Sequence, residues 1–216
     1  MAFQTDKPCD DACHQRVDDE TGKELNDAFI AQLETLKAAT PDMLLVDITR
    51  NGGGSEWAEA VARMLTPKRL KSERLMFVRG EHWVKHFTEM EDDLHKAAKT
   101  APPADRVQLL AWANDAHRKK EIAAMPCDSA PLWEGKHPAC SWLGEGFSTT
   151  GFLSSADPET LRGKSWASDA FTPMEFSYRE GIWRGPLIVA VDSDTGSAAE
   201  GIRSHASGQS RCVDCR

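Results

Sequence analysis

The feature that most limits the possible folds is the run Met43-Leu44-Leu45-Val46-Asp47-Ile48, followed by Thr49-Arg50 and then Asn51-Gly52-Gly53-Gly54. A short, almost wholly apolar run suits a strand buried on both faces. The consecutive glycines behind it free the backbone to take positive φ and let other atoms approach the N–H groups closely. Trp57, Val61, Met64 and Leu65 then set an apolar stripe, with Ala58, Ala60 and Ala62 as helix formers. The unit reads strand, glycine loop, helix. Upstream, Leu25, Phe29, Leu33 and Leu36 recur at helical spacing from Glu24 to Thr40-Pro41, where the residue before proline leaves the α region. A helix feeding a buried strand is α/β grammar.

The same grammar returns near the end of the chain. Gly185-Pro186-Leu187-Ile188-Val189-Ala190-Val191-Asp192 carries a second buried-strand signature, and Ser193-Asp194-Thr195-Gly196-Ser197-Ala198-Ala199-Glu200 turns it into a helix through small residues. Between the two units, Leu75–Val78 reads as a strand. Residues 83–125 read as a helical hairpin broken at Pro102-Pro103, with Phe87, Met90 and Leu94 on one stripe and Val107, Leu110, Ala111 and Asn114 on the other. Residues 126–180 are rich in Pro, Gly, Ser and Trp with little periodicity, which predicts an irregular, disulfide-tied segment whose tryptophans must pack somewhere. Residues 1–24, polar and Asp-rich, read as an irregular entry segment. The expected organisation is a core in two parts, 1–82 and 181–216, around an insertion at 83–180.

Composition removes several function classes. A net charge of −8 argues against a nucleic-acid scaffold, whose affinity rests on neutralising phosphates. The longest apolar runs fall far short of the roughly 20 residues that span a bilayer. The start MAFQTDKPCDDACHQ lacks the basic and apolar regions of a secretory signal. Six cysteines nevertheless fall into close pairs, Cys9/Cys13, Cys127/Cys140 and Cys212/Cys215, an arrangement suited to an oxidising compartment. A metal site would need Cys9, Cys13, His14, Cys212 and Cys215 to converge at an unfamiliar zinc spacing; local disulfides or free thiols are the expectation, with no metal and no cofactor.

Chemistry could live in two places. A glycine turn at a helix start presents N–H donors to an anion, either a bound phosphate or the oxyanion of a tetrahedral intermediate. Residues 47–54 lack the Lys-Ser/Thr ending of a nucleotide P-loop and the full glycine spacing of a dinucleotide fingerprint. The second place is Thr195-Gly196-Ser197-Ala198-Ala199-Glu200. A serine at a strand-to-helix turn, flanked by residues too small to obstruct a substrate, has the setting a nucleophilic hydroxyl needs. The same letters also describe an ordinary helix N-cap with an acidic first turn.

Together and in this order, the two stretches resemble the C-terminal processing, or tail-specific, serine protease family, which includes tricorn-like proteases and the retinoid-binding-protein repeats. That family has a strand ending in Asp-Leu-Arg-x-Asn-x-Gly-Gly, matched by Asp47-Ile48-Thr49-Arg50-Asn51-Gly52-Gly53-Gly54, and a later Thr/Ser-Ala-Ser-Ala-Ser/Ala-Glu turn, matched by Thr195 to Glu200. The resemblance covers residues 24–80 and 183–204. It implies an α/β fold of the Clp-protease/crotonase group, a layered β-sheet with helices, here carrying a helical and irregular insertion. It also implies hydrolysis of polypeptide substrates outside the cytosol through an acyl-enzyme. By position Ser197 is the nucleophile, and the N–H groups of Ala198 and of Gly53, with its neighbour Gly54, form the oxyanion hole. Glu200, within a helical turn of the serine, reads equally as a group that orients a base or a water and as an ordinary helix-start carboxylate.

The departures set the alternatives. Thr49 stands where the family has Arg, Gly196 where it has Ala, and no lysine follows Ser197, although the bacterial enzymes use one there as the base. A serine without a positioned base is a weak nucleophile. The chain is therefore expected to be a fragment whose base lies beyond Arg216. Otherwise it uses a histidine, with His82, His86, His137 and His205 as candidates, or it is a non-catalytic homologue that binds peptides or another ligand.

Overall fold

The computed structural model describes residues 9–54, 57–70, 74–128, 130–136, 140–145 and 161–207. These divide into two compact units: 9–70 with 172–207, and 74–145 with 161–171.

The first unit opens with α1 (Asp11–Ala38), which starts well before Glu24. The Asp10 carboxylate accepts the N–H of Cys13 at 2.8 Å, and the Cys9–Cys13 disulfide closes over the same turn. Gln15, Arg16, Glu20, Lys23 and Glu24 after it are good helix formers, so from this capped start helix forms without the apolar stripe that would announce it. After α1 come β1 (Leu44–Asp47) and α2 (Trp57–Met64); the unit resumes with α6 (Pro173–Phe176), β4 (Leu187–Ala190) and α7 (Ala198–Ser207). β1 and β4 pair in parallel, with Leu44 opposite Leu187 and Asp47 opposite Ala190. Ile48 extends the ladder by donating its N–H to the Ala190 carbonyl at 3.0 Å.

The expectation that both strands are buried on both faces is corrected. Leu44, Val46, Leu187 and Val189 pack on a core of Leu33, Val61, Met64, Leu65, Ile182, Trp183 and Ile202. The alternate residues point away, and Leu45 and Ile188, partners in the ladder, are 61% and 48% exposed. Among the described residues the sheets are this parallel pair and one antiparallel pair, without further layers.

Buried polar groups in this unit are matched. Asn26, fully buried on α1, donates to the Met174 carbonyl and to Ser177 Oγ, both at 3.0 Å, and accepts Trp57 Nε1–H at 2.8 Å. Arg63, buried on α2, forks onto Glu59 (2.7 Å) and Glu180 (2.9 Å). Burial pushes the Tyr178 hydroxyl beside it above its ordinary value.

The second unit holds β2 (Arg74–Val78), α3 (Glu81–Thr100), α4 (Pro103–Ala124), α5 (Ala130–Trp133) and β3 (Ser141–Glu145). The helical hairpin forms across Pro102-Pro103, with Phe87, Met90 and Leu94 buried as the pattern predicts. On α4 the buried stripe is Leu109, Trp112, Ala113 and Ala116; Val107 is 74% exposed, so the stripe expected from Val107 and Leu110 is corrected by one face. β2 and β3 pair antiparallel, which carries β2 into this unit rather than into the core at 1–82. At the far end, 172–180 belong to the first unit instead of the insertion at 83–180, because α6 packs on α1. The Cys127–Cys140 disulfide ties the segment before β3, and Lys164 with Trp166 Nε1–H grips the Asp105 carboxylate. Cys212, Cys215 and His137 lie outside the described residues. No helix among those described is long and apolar enough to cross a membrane.

Candidate active site

The ends of β1 and β4 lie side by side because the strands are parallel, so the two loops that follow them leave the sheet at the same edge. Thr195 Oγ1 lies 3.0 Å from the Ile48 carbonyl, and the Gly196 N–H donates to the Asn51 carbonyl at 3.0 Å. The glycine loop and the serine turn, far apart in sequence, thus share one framework.

Gly53 and Ser197 meet within it. A β-carbon placed on Gly53 would stand 2.5 Å from Ser197 Cβ, 2.9 Å from its Oγ and 3.1 Å from the Ala198 nitrogen. No real β-carbon tolerates such contacts, and the φ of +115° at Gly53 independently requires glycine. Gly52 and Gly54 face open space at the corresponding position. The glycine run was legible in the sequence; which glycine carries the approach was not.

Ser197 itself sits at φ +53°, in the left-handed region that residues with a β-carbon avoid. Exposed at the tip of the turn, it hands the chain to α7, and its carbonyl accepts the Glu200 N–H at 3.0 Å. Ala198 opens α7, so its N–H is one of the first-turn donors that have no intrahelical acceptor. Ser197 Oγ and the Ala198 N–H accordingly face the same glycine.

One expected donor is engaged differently. The Gly53 N–H donates to Asn51 Oδ1 at 2.9 Å, an Asx turn within the loop, so in this arrangement the Asn51 side chain takes the place an oxyanion would need. Gly54 is exposed beside it. Glu200 is exposed on the first turn of α7.

Two carboxylates shape the framework. Asp47 Oδ1 accepts the N–H of Thr49 (2.9 Å) and its hydroxyl (2.7 Å); these bonds, backbone first, hold the carboxyl below its ordinary value. Asp47 is therefore a loop-forming residue. Asp192 Oδ1 accepts the Arg50 N–H at 2.9 Å, which, ahead of its bonds to Asp194 and Thr195, holds that carboxyl low as well. Sequence reasoning missed Asp192, because its partner lies 142 residues away.

Of the histidines considered as bases, His82 and His86 belong to the second unit, and His205 falls on α7. His86 Nε2 is buried with no hydrogen-bond partner among the described residues, and burial holds its pKa below the ordinary value. The converging cysteine site is ruled out in part by Cys9 and Cys13, whose sulfurs are bonded to each other. Among the described residues no group of three His, Cys, Asp or Glu side chains is placed to hold a metal. Compared with protein-family models, curated proteins and solved structures, the chain finds no match.

Proposed function

We propose that the first unit carries the nucleophile and oxyanion donors of a serine-type endopeptidase of the processing-protease kind, on a Clp-protease/crotonase-like core, acting on polypeptides outside the cytosol. The carrying observation is the contact between Gly53 and Ser197. Two loops with no sequence proximity converge so tightly that a single methyl group would not fit, and the serine at the junction is held in a disfavoured backbone state. Such outliers concentrate at functional sites, and a strained serine between strand and helix is the form of a nucleophile elbow.

In the proposed reaction Ser197 Oγ attacks the scissile carbonyl carbon and gives its proton to a base. The carbonyl oxygen becomes an oxyanion facing the Ala198 N–H, with Gly53 or Gly54 as second donor. Collapse breaks the C–N bond, the amine leaves with a proton, and water hydrolyses the acyl-serine by the same path. A single oxyanion donor is worth about 10²–10³ in rate, which makes the glycine loop as necessary as the serine. The Cys9–Cys13 and Cys127–Cys140 disulfides support an oxidising compartment.

The test is a fluorophosphonate probe followed by peptide mapping. Covalent label on Ser197, absent from Ser197→Ala, is the expected result; an unlabelled Ser197 alongside intact fold overturns the reading. A second reading, a non-catalytic peptide-binding homologue, is favoured by the Asn51 side chain on the Gly53 N–H. Saturable binding of an unstructured polypeptide without label or cleavage would select it.

A further inference from the structure

Resting on the peptidase reading, we propose that Asp192 is a positioning residue: its carboxylate clamps the exit of β1 to the exit of β4 and so sets Gly53 against Ser197. The parallel ladder ends at the bond from Ile48 N–H to the Ala190 carbonyl. Beyond it both chains turn away, and among the described residues the backbone has one further hydrogen bond between them, from Gly196 N–H to the Asn51 carbonyl. The other hydrogen bonds that join these loops among the described residues pass through the side chains of Asp192 and Thr195.

Asp192 supplies the main one. Arg50 sits at φ +56°, a left-handed state that rotates its N–H out of the strand direction and leaves it in need of an acceptor. Asp192 Oδ1 is that acceptor, at 2.9 Å. The same oxygen takes the Asp194 N–H at 3.1 Å, which bends the serine-side loop. Thr195 Oγ1, 3.1 Å from this oxygen and 3.0 Å from the Ile48 carbonyl, shares its single proton between the two sides and accepts the Asp192 N–H at 3.1 Å. An Asx turn alone would explain the Asp194 bond. The bond to Arg50 is not local, and it anchors the chain just ahead of Asn51-Gly52-Gly53. Asp192 bonds to Arg50, Asp194 and Thr195 and acts on Ser197 through loop position. Misplacing a reacting group by about 1 Å costs on the order of 10²-fold in rate.

The experiment compares wild type, Asp192→Ala and Asp192→Asn as full chains, reading the rate of fluorophosphonate labelling at Ser197, hydrogen exchange at the Arg50 and Gly196 amides, and the urea midpoint. Asp192→Ala is expected to slow labelling by about tenfold or more and to speed both amides. Asp192→Asn keeps an acceptor oxygen without the charge and is expected to restore part of the rate and protection lost in Asp192→Ala. Labelling and exchange in Asp192→Ala equal to wild type overturn the proposal, as does loss that Asn fails to rescue. Where wild type takes no label, the peptidase reading fails, and the exchange comparison alone decides whether the clamp exists. Should Asp192→Ala not fold, Thr195→Val, which deletes only the shared hydroxyl, is expected to give a smaller loss in both readouts; no change in either counts against the clamp.

Discussion

Ser197 carries a β-carbon at φ +53°, and Gly53 has no room for one. Left-handed backbone costs a non-glycine residue about 1–2 kcal/mol, and the bonds donated by the N–H groups of Gly196, to Asn51, and of Glu200, to the Ser197 carbonyl, keep Ser197 there regardless. Removing the side chain separates strain from chemistry. Ser197→Gly is expected to be about 1 kcal/mol more stable than Ser197→Ala in urea unfolding, because alanine keeps the strain that glycine relieves. Neither variant is expected to take the fluorophosphonate label. Gly53→Ala acts in the opposite sense: the added methyl meets Ser197 and the φ of +115° at once, so labelling is expected to fall by at least about a hundredfold. Gly52→Ala, with open space at its β-position, serves as the comparison and should change labelling little. At this scale the sequence announced a flexible, close-approaching loop and a serine in a small-residue turn. It was silent on Asp192 and on the Asn51 side chain, since both act through partners that only the parallel pairing brings near.

The elements owe their arrangement to a few buried polar bonds as much as to apolar stripes. Asn26 ties α1 to α2 through Trp57 and to the α6 region through Met174 and Ser177. Asn26→Leu is expected to destabilise the first unit by about 2–4 kcal/mol, because it removes three hydrogen bonds made by one fully buried side chain. Far-UV circular dichroism through a urea titration reads this, and a loss under about 0.5 kcal/mol would count against it. A buried asparagine in a helix gives no periodic signal, which is why these contacts of α1 escaped the pattern. On α4 two apolar stripes at helical spacing compete, one through Val107 and Leu110, the other through Leu109, Trp112 and Ala116. The edge contact of Trp112 with Phe171, rings 5.3 Å apart, goes with the second, and periodicity has no access to that distant partner. For β1 and β4 an apolar run was read as burial on both faces, whereas alternate residues are exposed, because run length reports hydrophobicity and says nothing of what stands opposite.

Helix α3 of the second unit and the loops at the serine in the first should begin to answer to acid at different pH. In the second unit His86 Nε2 is buried with no hydrogen-bond partner among the described residues, against the Trp83 and Phe87 rings, and burial holds its folded pKa below the ordinary value. The unfolded chain takes up this proton first, near pH 6.5, so stability is highest above that value and falls as pH drops toward the folded pKa. In the first unit Asp47 and Asp192 are held low by backbone N–H bonds. Their contribution is complete above the unfolded value of about 3.9 and is lost only as pH falls through the lower folded values. Hydrogen exchange read by segment should show 81–100 losing protection as pH falls below about 6.5 while 44–54 stays protected, and 44–54 loosening only below about pH 4. Asp93 on α3, pushed up by burial, titrates with the opposite sign, so His86→Leu is the variant that isolates the histidine. It should flatten the response of 81–100 and leave that of 44–54 untouched. Early loosening of 44–54 would mean that the loops at the serine are held by something other than the two aspartates.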